Sequence, residues 1–168
     1  MKPALLVIDV QNAFLGSGPG TESLHAAIPY IQTAIALFRK RGLPVVCIQQ
    51  IDAKHGLQPG AAGFELPDDL GILPSDLHIH KLYDNAFNKT SLLDYLRVFA
   101  VDTVVATGYC AEYCVLSTCR GAEDNNLRAL VLQGTLASDK PDNVGFVESI
   151  SETITMDALQ ALLSADEQ

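Results

Sequence analysis

The run ALLVIDV, residues Ala4 to Val10, is apolar at every position except Asp9. A continuous apolar run of this length is typical of a strand that is covered on both faces, as in a parallel sheet. The run is too short, and is ended too soon by Asp9, to serve as a secretion signal. We therefore expect a buried first strand with an acidic residue at its carboxyl end.

Other short apolar runs recur along the chain and alternate with segments of helical period. One helix is indicated by apolar residues at helical spacing, namely Leu24, Ile28, Ile31, Ile35 and Phe38. Gly42 is expected to stop this helix, and Pro29 to mark its first turn or a kink just inside it. Three more helices are expected, one capped by Thr90, one from about Ala111 to Asn125, and one around Leu159 in the tail. Further strands are predicted at Leu43–Ile51, Leu77–Leu82, Val101–Thr107, Ala129–Leu132 and Glu152–Met156.

Strand–helix alternation of this kind predicts an α/β fold, in which a mostly parallel sheet lies between layers of helices. A length of 168 residues suits one domain, residues 1–168, and no repeat or linker divides the sequence. In such sheets, ligands bind beyond the carboxyl ends of the strands. The residues that follow the strands are therefore the first candidates for a functional site.

The composition limits the kinds of molecule that we expect the protein to bind. The chain is 48% hydrophobic and 18% charged, and its net charge of −9 disfavours nucleic acid as a partner. No apolar stretch is long enough to cross a membrane. Four cysteines without an export signal indicate free thiols in a reducing compartment, so we expect a cytoplasmic protein that acts on a small molecule.

Three reactive side chains follow predicted strands. Asp9 ends the first strand, Lys81 ends the third, and Cys114 lies in the first turn of the helix that follows the fourth. Taken alone, Asp9 is as often a helix cap or turn former as a functional group, while Lys81 is more often a surface lysine and Cys114 a small core residue. Because the carboxyl ends of parallel strands share one edge of a sheet, we expect all three to meet there and form a catalytic group.

The chemistry of these residue types suits nucleophilic catalysis. We expect a helix N-terminus and Lys81 to lower the pKa of the Cys114 thiol, which must become a thiolate to attack. Asp9 is suited to accept the thiol proton and pass it to a leaving amine. The backbone N–H groups of Tyr113 and Cys114 lie in the first turn of the helix, where they are candidates for an oxyanion hole.

Three motifs carry a resemblance to the isochorismatase-like cysteine hydrolases. They are LLVIDVQNAF (Leu5–Phe14), Lys81 followed by Tyr83, Phe87 and Thr90, and ATGYCAEYCVLST (Ala106–Thr118). The resemblance covers nearly the whole chain in order and spacing. It implies a three-layer, Rossmann-like α/β/α fold with a six-stranded sheet of order 3-2-1-4-5-6. It also implies a catalytic triad of Asp9, Lys81 and Cys114, and a cis peptide bond between Tyr109 and Cys110.

The resemblance also implies an activity. Family members with a cysteine at this position hydrolyse small carboxamides and ureido or carbamoyl compounds, and the thioester mechanism needs no organic cofactor. Three alternatives stay open: a vinyl ether hydrolase of the isochorismatase type that uses Asp9, a metal-assisted nicotinamidase, and a thiol-bearing scaffold without enzymatic activity. The family is usually dimeric or tetrameric, so a homo-oligomer is expected.

The histidines raise the question of a metal site. Nicotinamidases of this family carry an Asp-x-His motif, whereas Asp52 and His55 are separated by two residues. His78 and His80 alternate on the third strand and so point to one face. A site built from Asp52, His55 and one of these two is an alternative, but we expect no metal. The cysteines other than Cys114, at positions 47, 110 and 119, are expected to pack rather than to bind zinc.

The remaining predictions concern the substrate pocket. Phe14, Phe87 and Tyr113 lie close in sequence to the three catalytic candidates, and they are expected to line a small, partly apolar pocket. Gln11 is a candidate for a polar contact with the substrate. The segment 52–76 has no clear periodicity, and a loop of this length is usually functional, so we expect a lid or a surface that packs against a partner subunit.

Overall fold

A parallel sheet of six strands forms the centre of the computed structural model, which describes residues 1–165. The strands are β1 (Pro3–Ile8), β2 (Val45–Gln50), β3 (Leu77–Lys81), β4 (Thr103–Gly108), β5 (Arg128–Leu136) and β6 (Thr153–Ile154). Their spatial order is β3-β2-β1-β4-β5-β6, and every neighbouring pair is parallel. This order confirms the expected fold class. It also places β1 and β4 side by side at the centre, where strand order reverses.

Helices cover both faces of the sheet. They are α1 (Ala13–Gly16), α2 (Thr21–Lys40), α3 (Leu92–Val98), α4 (Leu116–Asp124), α5 (Asp142–Ser149) and α6 (Met156–Ala165), with a 3₁₀ turn at Ala53–His55 and a π-helical turn at Ala111–Val115. The buried residues of α2 and α6 pack on one face of the sheet, and the buried residues of α3, α4 and α5 pack on the other. None of the helices in residues 1–165 has the length and apolar character needed to span a membrane.

Burial on both faces of the sheet explains why the sequence of β1 is a continuous apolar run. All six residues of β1 are buried. Leu5 and Val7 contact the core beneath α2, and Leu6 and Ile8 contact the opposite core. Since side chains alternate between the two faces of a strand, a strand covered on both faces needs apolar residues at every position.

Pro29 lies well inside α2, so the prediction that it marks the first turn is wrong. The helix begins at Thr21, and its apolar positions are those predicted from the spacing. A proline in a helix leaves the carbonyl four residues earlier without its N–H partner. Here that residue is His25, which is exposed, as is Pro29 itself, so that water is available to this carbonyl.

The predictions from sequence differ most from the structure in the region from β5 to β6. The fifth strand extends to Leu136, four residues beyond the predicted end, whereas β6 is shorter than predicted. The helix α5 was not predicted, because Val147 is its one buried residue and a single apolar position makes no periodic pattern.

The segment 52–76 packs along the turn that follows β1. The backbone N–H groups of Asn12 and Ala13 donate to the carbonyl oxygens of Glu65 and Gly63 at 2.8 and 2.9 Å. Phe64 and Leu70 are buried. This segment therefore forms one wall of the region beyond the carboxyl ends of β1 and β2.

Candidate active site

Asp9 follows β1 directly and is held in an unusual backbone conformation. Its φ is +52°, and its N–H donates to the carbonyl oxygen of Ile48 at 2.8 Å. Only 1% of the residue is exposed. Aspartate tolerates a positive φ better than most residues, and here the turn directs its carboxylate across the end of the sheet. The Oδ2 atom lies 2.9 Å from Nζ of Lys81.

Lys81 is the last residue of β3 and is also 1% exposed. Its ammonium group contacts three acceptors: Asp9 Oδ2 at 2.9 Å, Gln50 Oε1 at 2.5 Å and Cys114 Sγ at 3.1 Å. A lysine ammonium has three N–H donors, so each donor has a partner. An unpaired buried charge is costly. These three contacts allow a cation to sit at the end of the sheet.

Cys114 lies in the π-helical turn beyond β4 and is partly buried. Two backbone features precede it. Gly108 has a φ of +113°, and a Cβ there would lie 2.0 Å from the carbonyl oxygen of Ile8, so only glycine fits beside β1. The peptide bond between Tyr109 and Cys110 is cis, at the position that the resemblance implies.

The three predicted residues are thus brought together, and their environments shift their pKa values. Burial raises the pKa of Asp9, although Lys81 and the Cys114 thiol partly offset this effect. Burial acts to lower the pKa of Lys81, but the charge of Asp9 and the hydrogen bonds to Asp9 and Cys114 outweigh it and raise the pKa overall. Lys81 therefore remains a cation, while Asp9 is a stronger base than an ordinary carboxylate.

The pKa of the Cys114 thiol is raised, not lowered as expected from the sequence. Burial is the largest cause, and the negative charge of Asp9 adds to it, while Lys81 acts in the opposite direction. The sequence revealed the nearby cation but not the depth of the sulfur or the closeness of the carboxylate. The resting state is therefore a neutral thiol beside a carboxylate that is able to take its proton.

A cavity of about 360 Å³ opens above these residues. Asp9 and Cys114 line it, together with Phe14, Tyr109 and Tyr113. The rings of Phe14 and Tyr109 pack against each other with their centroids 4.5 Å apart. Such a cavity suits a small ligand. Of the predicted pocket residues, Phe14 and Tyr113 are in the lining.

Gln11 and Phe87 do not line the cavity, so their predicted substrate contacts are corrected. Gln11 is fully buried, and its amide bonds to the backbone of Gln50 and to the carbonyl oxygen of Phe64. Phe87 packs against the hydrophobic core on the α4 face of the sheet. Closeness in sequence to a catalytic candidate did not determine which way either side chain points.

The predicted oxyanion donors differ in their availability. The N–H of Tyr113 already donates to the carbonyl oxygen of Cys110 at 3.1 Å, as does the N–H of Val115 at 3.2 Å. The π-helical turn therefore uses the Tyr113 donor in this state. The N–H of Cys114 remains the candidate donor next to the sulfur.

Sequence reasoning missed several residues of the site. Gln50, at the end of β2, accepts a hydrogen bond from Lys81. The thiol of Cys114 lies 3.8 Å from Oδ1 of Asp84. The hydroxyl of Tyr109 donates to Asp139 at 2.7 Å. Gln50 was detectable, because it is a polar residue at a strand end like Asp9. Asp84 and Asp139 lie in irregular segments without such a signal.

The other three cysteines pack as expected, and all four, which lie in the described part of the chain, are free. Cys47 is buried in β2, and Cys119 is buried in the core on the α4 face of the sheet. Cys110 borders the cavity, and its Sγ lies 3.1 Å from Oε2 of Glu112. Burial and that carboxylate raise the pKa of Cys110 to about 12. The causes of this shift include no neighbouring cation, whereas Lys81 acts on the thiol of Cys114, so Cys114 is the better candidate nucleophile.

The candidate metal ligands do not come together. His55 Nδ1 lies 2.6 Å from Asp52 Oδ2 beside the cavity, whereas His78 bonds to the carbonyl oxygen of Leu73 and His80 packs edge-on against Phe64. Among residues 1–165, no group of three or more His, Cys, Asp or Glu side chains is placed to hold a metal ion. The alternative metal site is therefore not supported.

Comparison with known proteins identifies a family whose members share this fold. A family model, the Isochorismatase domain, matches residues 3–146. The uncharacterized isochorismatase family protein YrdC of Bacillus subtilis (strain 168) is 31% identical over 121 residues, which are 71% of this chain and 65% of YrdC. The chain thus spans just under two thirds of this relative.

Two solved structures are similar over nearly their full lengths. An isochorismatase-like hydrolase from Alkaliphilus metalliredigens has a TM-score of 0.85 and 27% identity, covering 96% of this chain and 99% of that one. The N-carbamoylsarcosine amidase from Thermoplasma acidophilum has a TM-score of 0.81 and 27% identity, covering 92% and 95%. With the family match over most of its length, this chain belongs to the isochorismatase family of hydrolases.

Proposed function

We propose that the protein is a cysteine-dependent amidohydrolase that cleaves a small carboxamide or a ureido or carbamoyl compound through a thioester. The observation that carries this proposal is the set of contacts around Lys81. Its Nζ lies 3.1 Å from the sulfur of Cys114 and 2.9 Å from the carboxylate of Asp9, at the base of a cavity of about 360 Å³. A nucleophile, a base and a charge-balancing cation therefore lie together beside space for a small substrate.

The first half of the reaction forms a thioester. The sulfur of Cys114 attacks the carbonyl carbon of the amide while Asp9 accepts the thiol proton. Because the pKa of the thiol is raised, the proton must leave as the carbon–sulfur bond forms. The raised pKa of Asp9 suits this transfer. The N–H of Cys114 is the candidate donor to the oxyanion.

Breakage of the carbon–nitrogen bond completes the thioester, and the leaving amine takes the proton from Asp9. In the second half of the reaction, Asp9, again ionised, removes a proton from a water molecule that attacks the thioester. The carbon–sulfur bond then breaks, Asp9 returns this proton to the sulfur, and the acid and the free thiol are released. Lys81 keeps its proton throughout and balances the negative charge that moves between Asp9 and the sulfur.

The resemblance to N-carbamoylsarcosine amidase supports an amide or carbamoyl substrate over a vinyl ether. The position of Cys114 is a second support, because an ether hydrolase that uses Asp9 has no need of a sulfur at 3.1 Å from Lys81. The two functions therefore make opposite predictions for the removal of this sulfur.

The test combines intact-protein mass spectrometry with kinetics on a panel of small amides and carbamoyl compounds. We expect an acyl adduct on Cys114 with at least one substrate, and a loss of turnover of at least about 10³-fold in Cys114→Ala. Cys119→Ala is the matched control, since Cys119 is a buried cysteine in α4 that does not line the cavity. Turnover that survives in Cys114→Ala would contradict the thioester mechanism and favour the ether hydrolase.

A further inference from the structure

The cavity has a marked charge imbalance. Its lining contains the carboxylates of Asp9, Asp52, Asp84 and Asp139, and His55 is its one basic residue. His55 is in contact with Asp52 at 2.6 Å. The ammonium of Lys81 lies outside the lining and is already matched by Asp9. Lys54 and Lys140, next in sequence to two of these acids, are exposed and lie outside the lining.

Asp84 and Asp139 therefore carry charges that no basic side chain neutralises. Within residues 1–165, neither forms an ion pair, and the contacts of their carboxylates are with the thiol of Cys114 and the hydroxyl of Tyr109. Asp84 is the closer to the chemistry, because its Oδ1 lies 3.8 Å from the sulfur. Any substituent next to the carbonyl group of a substrate at this sulfur comes close to that carboxylate.

A buried acceptor at the base of the cavity points to the same kind of ligand. The Oδ1 atom of Asp9 has no hydrogen-bond partner among the described residues, although the residue is only 1% exposed and lines the cavity. A buried polar atom without a partner is costly, and such atoms call for an explanation. A ligand that brings N–H donors to the base of the cavity supplies the missing partner.

We propose that the substrate is a small amide or ureide that carries a protonated amine or another cationic group close to the scissile carbonyl. The amide nitrogen donates to Oδ1 of Asp9, and the cationic group faces Asp84 and Asp139. An anionic group at the same position meets two carboxylates and no free basic residue in the lining. This inference rests on the proposed function, since it identifies the substrate class of that same cavity.

The expected effect is moderate, because Asp84 and Asp139 are exposed and water screens them. Carboxylates that line one cleft act together and raise the local concentration of cations. We expect a preference of about tenfold for a cation over a neutral molecule of the same shape, and a similar step from the neutral molecule to an anion. This preference should weaken as salt is added.

The first test does not depend on turnover. Cys114 is treated with aminoethyl, methyl and sulfonatoethyl methanethiosulfonate, which are cationic, neutral and anionic, and peptide mass spectrometry measures the rate at that residue. After division by the rates for a free thiol, we expect the order cation, neutral, anion. Asp84→Asn should reduce the cation-to-anion ratio about tenfold. Asp124→Asn, the same charge change on exposed Asp124 at the end of α4, should not. Equal rates for cation and anion, or a faster anion, overturn the inference.

The second test compares three amides of similar shape: 3-aminopropanamide, butanamide and succinamate. We expect kcat/KM to follow the same order, with the cation-to-neutral ratio reduced in Asp84→Asn. Turnover that requires Cys114 but favours succinamate overturns the cationic substrate and leaves the amidohydrolase standing. If these three and the broader panel give no turnover and no acyl adduct, the proposed function fails, and the proposed substrate class fails with it.

Discussion

Asp9 and Asp52 lie at the carboxyl ends of two neighbouring strands, β1 and β2, yet their environments are opposite. Asp9 is 1% exposed and pairs with the buried ammonium of Lys81. The side chain of Asp52 is 38% exposed and pairs with His55, which is more exposed still. Both carboxylates line the same cavity.

The two pKa values shift in opposite directions for physical reasons. Burial raises the pKa of Asp9 in spite of the nearby cation. The hydrogen bond from His55 lowers the pKa of Asp52, where burial acts only weakly in the other direction. A paired carboxylate therefore becomes a stronger base only if desolvation outweighs its pairing. This difference makes Asp9 suited to proton transfer and leaves Asp52 as a stably ionised surface group.

The largest expected effect is that of Asp9→Asn. Amide turnover should fall by at least about 10³-fold, because the thiol loses its base. Alkylation of Cys114 by iodoacetamide near neutral pH should instead become about tenfold faster, because removal of the negative charge of Asp9 lowers the thiol pKa. Peptide mass spectrometry and steady-state kinetics measure the two effects. Loss of both reactions would point to general damage at the site and not to a missing base.

The pH dependence of kcat/KM distinguishes Asp9 from Asp52 as the catalytic base. Asp9 must be ionised to accept a proton, so kcat/KM should fall as the pH drops through its raised pKa, about tenfold per unit. The acid limb should therefore lie above the ordinary carboxyl pKa of about 3.9. A limb set by Asp52 would lie below that value, because the pKa of Asp52 is lowered. In Asp52→Asn the limb should stay in place, and a shift of the limb in that variant would show that the base has been misassigned.

The smallest expected effect is that of Asp52→Asn on stability. The Oδ1 atom of Asp52 accepts a hydrogen bond from the N–H of Lys54 at 3.2 Å, and asparagine can keep this cap. What remains is the loss of an exposed contact with His55, so Tm should fall by no more than about 2 °C. Thermal unfolding measures the change, with His55→Gln as a second variant that breaks the same pair. A much larger fall in either variant would mean that this pair is more deeply involved in the fold than its exposure indicates.

Much of the sheet could be predicted because burial on two faces leaves a clear pattern. The run around Leu6 is apolar throughout its strand, the run around Val105 contains three apolar residues in a row, and both became central strands. Helices and strands that bury few side chains leave no such pattern in the sequence. For this reason α5 was not predicted. The three catalytic candidates could be found for a related reason, since they are polar or reactive residues at or just beyond the carboxyl ends of predicted strands.

The details of the site could not be predicted, because they depend on distances in space. Asp84 and Cys114 are far apart in sequence, and only the folded chain places Oδ1 3.8 Å from the sulfur. Gln11 follows Asp9 by two residues but bonds to the backbone of Gln50 and Phe64 instead of facing the cavity. Spacing along the chain carries no information about either contact.

The amino-acid sequence by itself determined the order of strands and helices, the residue types at the strand ends and the family, because local hydrophobic periodicity and short motifs are properties of the linear chain. The tertiary structure alone decided that the sulfur is a partly buried neutral thiol, that Asp9 is a strengthened base and that unpaired carboxylates line the cavity. These properties depend on how much water reaches each group and which charges surround it, and folding determines both.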